Sequence, residues 1–310
     1  MAIAIIVGDR DVSILRQHIK AATNGEVPIW VYPDIPQADK VEMLVVWKHP
    51  ENAIAQFPNV QLISSLGAGV EHIINDLAVT SKHLISRIVD PTLAHSMQKH
   101  VLTCVLHFHK QWPFYQAAQQ NGQWAKPNPI ERPIKVGILG IGELGQAVAQ
   151  MLQTVGFEVM GFSRKAKEIP NFTVWDSENH SLPSFLQEIN VLVSLLPRTP
   201  QTEGILSYER LQHLPKGSCL INVGRGAHLV EDDLLKLLKE GIIDQAYLDV
   251  FQEEPLPTSH PFWSHPNILI TPHTASITHQ ENAAKIIADN YQRLKTGEPI
   301  RFEVQLDRGY

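Results

Sequence analysis

Three side chains with complementary chemistry, Arg225, Glu254 and His273, each follow an apolar, strand-like run, and a glycine-rich loop starts the same way at Gly140. In an open parallel sheet, ligands bind outside the carboxyl ends of the strands. A guanidinium, a carboxylate and an imidazole gathered there beside a dinucleotide loop are the parts needed to pass a hydride to a 2-oxo acid. As hydride reaches carbon, negative charge grows on the carbonyl oxygen, and a positioned imidazolium at His273 can donate a proton to it. Glu254 is suited to orient that ring and to favour its charged form. The fork of Arg225, flanked by Gly224 and Gly226, can grip a carboxylate two-pronged and polarise the neighbouring carbonyl. Asp249, also at a strand end, either accepts a hydrogen bond from a nicotinamide carboxamide or caps a loop. No metal centre is expected. The chain has 15 histidines, but His260, His265, His273 and His279 show no tight ligand spacing.

The run Ile134–Leu139 leads into Gly140-Ile141-Gly142-Glu143-Leu144-Gly145, and Leu144, Val148, Met151, Leu152 and Val155 then recur at helical spacing. Strand, G-x-G-x-x-G and helix stand in the order that dinucleotide binding requires. Gly140 permits the tight turn, Gly142 lets backbone approach a pyrophosphate, and Gly145 lets helix and strand pack closely. The helix amino terminus offers N–H groups and partial positive charge to the phosphates. The next strand, Glu158–Phe162, ends in Ser163-Arg164-Lys165, with Lys167 beyond and no carboxylate before Glu168. An acidic residue there would hold a free ribose 2′-hydroxyl; a hydroxyl with two cations suits a 2′-phosphate. The expected cofactor is therefore NADP(H), with NAD(H) less favoured.

The elements that must position these groups are legible as alternation. Apolar runs at Ile3–Val7, Ile29–Tyr32, Met43–Trp47, Val60–Ser64 and His83–Ile88 form a first series. Ile134–Leu139, Glu158–Phe162, Val191–Leu195, Cys219–Val223, Ala246–Val250 and Asn267–Thr271 form a second. Helix-length segments separate them, which predicts an α/β protein of two doubly wound, parallel-sheet domains. A helix-compatible segment from Leu93 to about Gln123 and a polar loop, Asn121–Pro133, containing Pro127 and Pro129, divide the series. A last helix is expected from about Thr278 to Lys295, stopped by Gly297 and Pro299. Its spacing does not say which domain it packs on.

At 310 residues, 44% hydrophobic and 19% charged, the chain suits two globular cores. A formal net charge of −6 argues against a nucleic-acid binder. Cys104 and Cys219, both in apolar stretches, exclude a disulfide framework and fit a reducing compartment. The start, MAIAIIVGDR, reads as a strand rather than a signal peptide. No apolar run nears the roughly 18 residues of a membrane span. A cytoplasmic protein without membrane attachment is expected.

Gly140–Gly145, Asn222-Val-Gly-Arg225-Gly226, Leu248-Asp249-Val-Phe with Glu254-Pro255-Leu-Pro, and Thr271-Pro272-His273 together resemble the D-isomer-specific 2-hydroxyacid dehydrogenases along nearly the whole chain. Val46-Trp47, Ser65–Val70, Ser163-Arg164, Leu196-Pro197-x-Thr199 and the ending Asp307–Tyr310 are similar to the branch of that family that reduces glyoxylate and hydroxypyruvate. The resemblance implies a Rossmann NADP-binding domain, 99–277, inserted into a flavodoxin-like substrate domain, 1–98 and 278–310. It assigns Arg225 to substrate, His273 to acid/base work and Glu254 to the histidine. It has Gly67, Ala68 and Gly69 offer N–H groups to the substrate carboxylate, with Trp47 walling the pocket. Glu143, Leu144, Leu196, Pro197, Val223 and Gly224 join Ser163, Arg164, Lys165, Asp249 and the three glycines at the cofactor. The partners implied are a small 2-oxo acid and a second copy of the chain, paired through the segment after Leu93. Two positions depart from the pattern: Lys48-His49-Pro50 stands where His-Pro-Pro is expected, and Arg198 where asparagine is more usual. The other readings are a dehydrogenase of another small D-2-hydroxy acid and a nucleotide-sensing, corepressor-like binding protein.

Overall fold

In the computed structural model the described residues are 2–8, 11–128, 133–170 and 172–304. Pro129 and the ending Asp307–Tyr310 lie outside them. The chain divides into two compact units, Met1–Leu93 with Thr278–Tyr310, and Ala94–Ile277.

The first unit holds β1 (Ala2–Val7), α1 (Ser13–Ala22), β2 (Ile29–Val31), β3 (Val41–Trp47), β4 (Leu62–Ser65), α2 (Glu71–Ile74) and β5 (Leu84–Ser86). All five strands are parallel, in the order β2-β1-β3-β4-β5. That is the flavodoxin-like arrangement. β1 is buried throughout, so it reads as an unbroken apolar run rather than an alternation.

The division between units falls inside α3 (Pro91–His109), which α4 (Trp112–Gln120) follows. The single helical segment expected from Leu93 is thus two helices, parted at Gln111, whose φ of +54° no helix continues.

The second unit continues with β6 (Lys135–Leu139), α5 (Glu143–Thr154), β7 (Glu158–Ser163), β8 (Thr173–Asp176), α6 (Leu182–Gln187) and β9 (Val191–Ser194). It closes with α7 (Tyr208–Leu211), β10 (Ser218–Asn222), α8 (Glu231–Lys239), β11 (Ile243–Leu248) and β12 (Ile268–Ile270). Its sheet, β12-β11-β10-β9-β6-β7-β8, is wholly parallel, with the order reversing between β6 and β9. The two doubly wound sheets match the fold expected; β8 is an addition the apolar runs did not reveal.

The last helix, α9 (Gln280–Thr296), belongs to the first unit and ends at Gly297, whose φ of +71° forms the left-handed cap. Ala283, Ala284, Ile287 and Tyr291 share a core with Leu15 and Ile19 of α1. Full burial of a side chain such as Ile287 contributes roughly 1.5–3 kcal/mol. Asn290, fully buried, ties α9 to the chain beyond it by accepting from Arg301 N at 2.8 Å and donating to Arg301 O at 3.0 Å.

Candidate active site

Arg225, Glu254 and His273 lie beyond β10, β11 and β12, three neighbouring strands of the second sheet. Polar side chains fix each loop. Asn222, fully buried, donates to Arg225 O at 3.2 Å and accepts from Gly224 N at 3.3 Å, closing the turn that presents the arginine. A Cβ on Gly226 would sit 1.9 Å from the Phe251 carbonyl, so only glycine lets the arginine loop meet the glutamate loop. Phe251 N donates to Glu254 Oε1 at 3.2 Å, and His273 Nδ1 donates to Glu254 Oε2 at 2.8 Å. With the carboxylate accepting, Nδ1 carries a proton and Nε2 is left to another partner.

His273 has a φ of +55°, rare outside glycine, and a conformation of this kind costs of order 1–3 kcal/mol. Asp249 holds it there. Its carbonyl accepts from His273 N at 2.8 Å, and its carboxylate takes Thr271 Oγ1 at 2.6 Å, Thr274 N at 2.8 Å and Ala275 N at 2.9 Å. Of the two roles expected for Asp249, loop capping is the one visible in these contacts. Ser96 on α3 donates to Ala275 O at 3.1 Å and closes the far side.

Of the residues expected at the cofactor, most follow β6, β7 and β9, while Val223 and Gly224 follow β10 and Asp249 follows β11. Gly140 has a φ of +96°, and a Cβ there would approach Leu195 O to 2.7 Å. A Cβ on Gly145 would lie 2.0 Å from Gly140 O, while one on Gly142 would meet nothing within 4 Å. The first and third glycines are thus packed and the second faces open space, where a pyrophosphate needs backbone access. Gly142 caps α5 without a side chain, so the first-turn N–H groups at Glu143 and Leu144 remain suited to an anion. On this evidence the residues fit a dinucleotide.

Ser163 Oγ donates to Lys165 O at 2.6 Å and Ser177 Oγ to Arg164 O at 3.1 Å, which shapes the basic turn after β7. Arg164 and Lys165 are exposed. Asp176 stands opposite Ser163 on β8, but its Oδ1 accepts from Glu178 N, Asn179 N and Asn179 Nδ2. That carboxylate caps a turn of its own.

Pro197 and the Gly224–Arg225 turn are joined by a residue that its sequence position did not single out, His228. Fully buried, it accepts from Arg225 N through Nδ1 at 3.3 Å and reaches Pro197 O through Nε2 at 3.2 Å. Gly224 fits against it, a Cβ there lying 3.1 Å from both the His228 ring and Leu196 O. Val223 N donates to Ser194 O at 3.2 Å. Arg198, the second departure, forms an exposed ion pair with Glu203 at 2.8 Å.

In the first unit, Trp47 closes β3 and its ring lies against Gly67, where a Cβ would come within 2.6 Å of it. His72 packs on the same ring at 5.1 Å between centroids. Gly67 N points to Ser65 Oγ at 3.3 Å, whereas Ala68 and Gly69 make no N–H bond among the described residues. Beside them His49 Nε2 meets Asp76 Oδ2 at 2.9 Å, both largely buried.

Residues 102–275 match the family model described as D-isomer specific 2-hydroxyacid dehydrogenase, NAD binding domain. The chain belongs to the D-isomer specific 2-hydroxyacid dehydrogenase family. It is 38% identical over 292 residues, 92% of each chain, to glyoxylate/hydroxypyruvate reductase A of Serratia proteamaculans (strain 568). A family structure from Xanthobacter autotrophicus Py2, solved with NADPH and MES, superposes with a TM-score of 0.92 at 36% identity, covering 100% of this chain and 99% of that one. The NADPH-dependent glyoxylate/hydroxypyruvate reductase SmGhrA of Sinorhizobium meliloti, solved with NADP and sulfate, gives 0.89 at 28% identity, with the same two coverages. Membership makes this chain a D-2-hydroxyacid dehydrogenase, and relatives of this similarity draw on NADP(H).

Proposed function

We propose that the protein reduces glyoxylate and hydroxypyruvate to glycolate and D-glycerate with NADPH, with His273 as the general acid. The observation that carries the mechanism is the 2.8 Å bond between His273 Nδ1 and Glu254, which supports Nε2 as the proton donor. The dinucleotide, when bound, supplies the hydride. Arg225 binds the substrate carboxylate and steadies charge on the keto oxygen, while Nε2 of the imidazolium delivers the proton to that oxygen. Glu254 holds the ring through both states. Ala68 and Gly69 offer N–H groups to the substrate carboxylate, and Trp47 limits what fits beside Gly67. The basic turn at Ser163–Lys165 favours the 2′-phosphate of NADPH. Two free, buried cysteines accord with a cytoplasmic site, and among the described residues no helix is long and apolar enough to cross a membrane. Exposed Leu106, Trp112, Phe114, Tyr115 and Trp124 support a homodimer through α3 and α4, checked by mass in solution.

The test is a matrix of small 2-oxo acids against NADPH and NADH, followed by loss of reduced-nicotinamide absorbance. Turnover of glyoxylate and hydroxypyruvate with a preference for NADPH is expected. His273→Ala should lower kcat by on the order of 10²–10⁴-fold while NADPH still binds. Turnover confined to other 2-oxo acids would move the substrate reading to another D-2-hydroxy acid. No turnover with any of them would favour a nucleotide-sensing role.

A further inference from the structure

The loop that carries Glu254 is gripped from outside by a side chain of α8. Glu231, in the first turn of that helix, accepts from Gln252 N through Oε1 at 3.3 Å and meets His260 Nε2 through Oε2 at 3.3 Å. One carboxylate thus holds the chain on both sides of Glu254. The anchor is rigid, since Leu234 and Leu237 of the same helix are fully buried. Gln252 adds a tie to the arginine turn, donating from Nε2 to Leu229 O at 2.7 Å, next to the close approach of Gly226 and Phe251.

These bonds have a fixed direction. Phe262 N donates to His260 Nδ1 at 3.3 Å, so Nδ1 is an acceptor and the ring proton lies on Nε2, facing Glu231. Phe262 is itself buried and stands edge-on to the His260 ring, 4.5 Å between centroids. Both partners of Glu231 are therefore donors, and the side chain at this position must accept twice. A carboxylate has an acceptor oxygen for each; an amide has one oxygen and turns its NH2 on the other donor. The opposite tautomer of His260 offers no escape, because it would set Nδ1–H against Phe262 N–H.

We propose that Glu231 is a positioning residue for Glu254. Its two oxygens set the glutamate loop so that the Glu254 carboxylate meets His273, and Gln252 keeps that loop in register with the arginine turn. Glu231 acts through Glu254 rather than on the reacting atoms. The inference rests on reading Glu254 as the residue that orients the His273 proton donor.

The experiment crosses Glu231→Gln with Glu254→Ala and follows glyoxylate reduction by NADPH. With Glu254 present, Glu231→Gln should lower kcat about ten-fold and leave NADPH affinity within about two-fold. In the Glu254→Ala protein no carboxylate remains to be placed, and the same substitution should change kcat by less than about two-fold. Gln252→Ala, at an exposed position, removes just the tie to Leu229 and serves if Glu231→Gln does not fold. Its loss should be about three-fold and should likewise vanish without Glu254. Equal losses in both backgrounds would make Glu231 a general brace of the unit and overturn the proposal. An unchanged kcat, or a loss of NADPH affinity as large as that of kcat, would overturn it too. Glu254→Ala that keeps full kcat on its own would instead defeat the role given to Glu254, and the proposal with it, a failure read from the single variant.

Discussion

The two halves of the seven-stranded sheet build their loops by different means. Around β6 and β7 the chain is shaped by what is missing: Gly140, Gly145 and Gly161 leave room for Leu195, for Gly140 itself and for Ile141. Around β10, β11 and β12 it is shaped by buried polar groups: Asn222 binds backbone of its own loop, and His228 and Asp249 reach backbone of neighbouring loops. A phosphate cradle needs close backbone approach, which small residues supply. A proton donor needs an orientation held to within fractions of an ångström, which directional hydrogen bonds supply. Under the proposed function, the steric half would govern whether cofactor binds, and the polar half what happens once it has.

Gly145→Ala should break the steric half with the largest effect. Its Cβ would lie 2.0 Å from Gly140 O, a backbone obstacle that cannot rotate away. The loop must open, and dinucleotide affinity should fall by at least about ten-fold, each factor of ten representing about 1.4 kcal/mol. The His273–Glu254 pair lies in loops after other strands, so kcat at saturating cofactor should change far less. Fluorescence titration with NADPH beside steady-state kinetics separates the two. A kcat loss as large as the affinity loss would show that the halves are not independent.

Asp249→Asn should break the polar half by a smaller amount. Whichever way the amide is turned, its NH2 replaces an acceptor for Ala275 N, or for Thr271 and Thr274. A buried donor left facing a donor costs roughly 1–3 kcal/mol. The expected result is a kcat lowered about ten-fold, with affinity for adenosine 2′,5′-bisphosphate unchanged and a lower melting temperature. Equal loss of bisphosphate affinity would deny the division drawn here.

The difference between the halves also explains what the sequence disclosed. Buried parallel strands are continuous apolar runs, so most were legible with ends displaced by one to three residues. β8 escaped because it has four residues at a sheet edge, only one of them buried. The glycine half was legible because a steric demand leaves a residue type at a fixed spacing. Arg225, Glu254 and His273 were legible as strand-end residues, but their supports were not. His228 meets Pro197 across 31 positions and Glu231 meets His260 across 29, pairings that exist only once neighbouring strands are adjacent. In a chain with 15 histidines, nothing local distinguishes His228. The break at Gln111 did leave a trace, Pro113 in the first turn of α4, which favours a helix start there, but nothing at Gln111 itself signals its positive φ.

α3 gives the finest test, because its histidines touch both halves. His107 Nδ1 bonds the Tyr247 hydroxyl of β11 at 2.8 Å, and His109 packs edge-on against Phe157, just ahead of β7. Burial pushes both below the ordinary 6.5, with Lys110 adding to the effect at His109. His100 is lowered by burial too, against the opposing pull of Asp249. In each case the unfolded chain binds the proton more readily than the folded one. Their contribution to stability is therefore complete above about pH 6.5 and is lost as pH falls through the window below it. The melting temperature should decline on acidification from pH 7.5 to about 5.5, and His107→Gln and His109→Gln should each flatten part of that decline. Hydrogen exchange then locates it: His107→Gln should remove the acid sensitivity of β11 and spare β7, and His109→Gln the reverse. Acid loosening that ignores which histidine is replaced would place its origin outside α3.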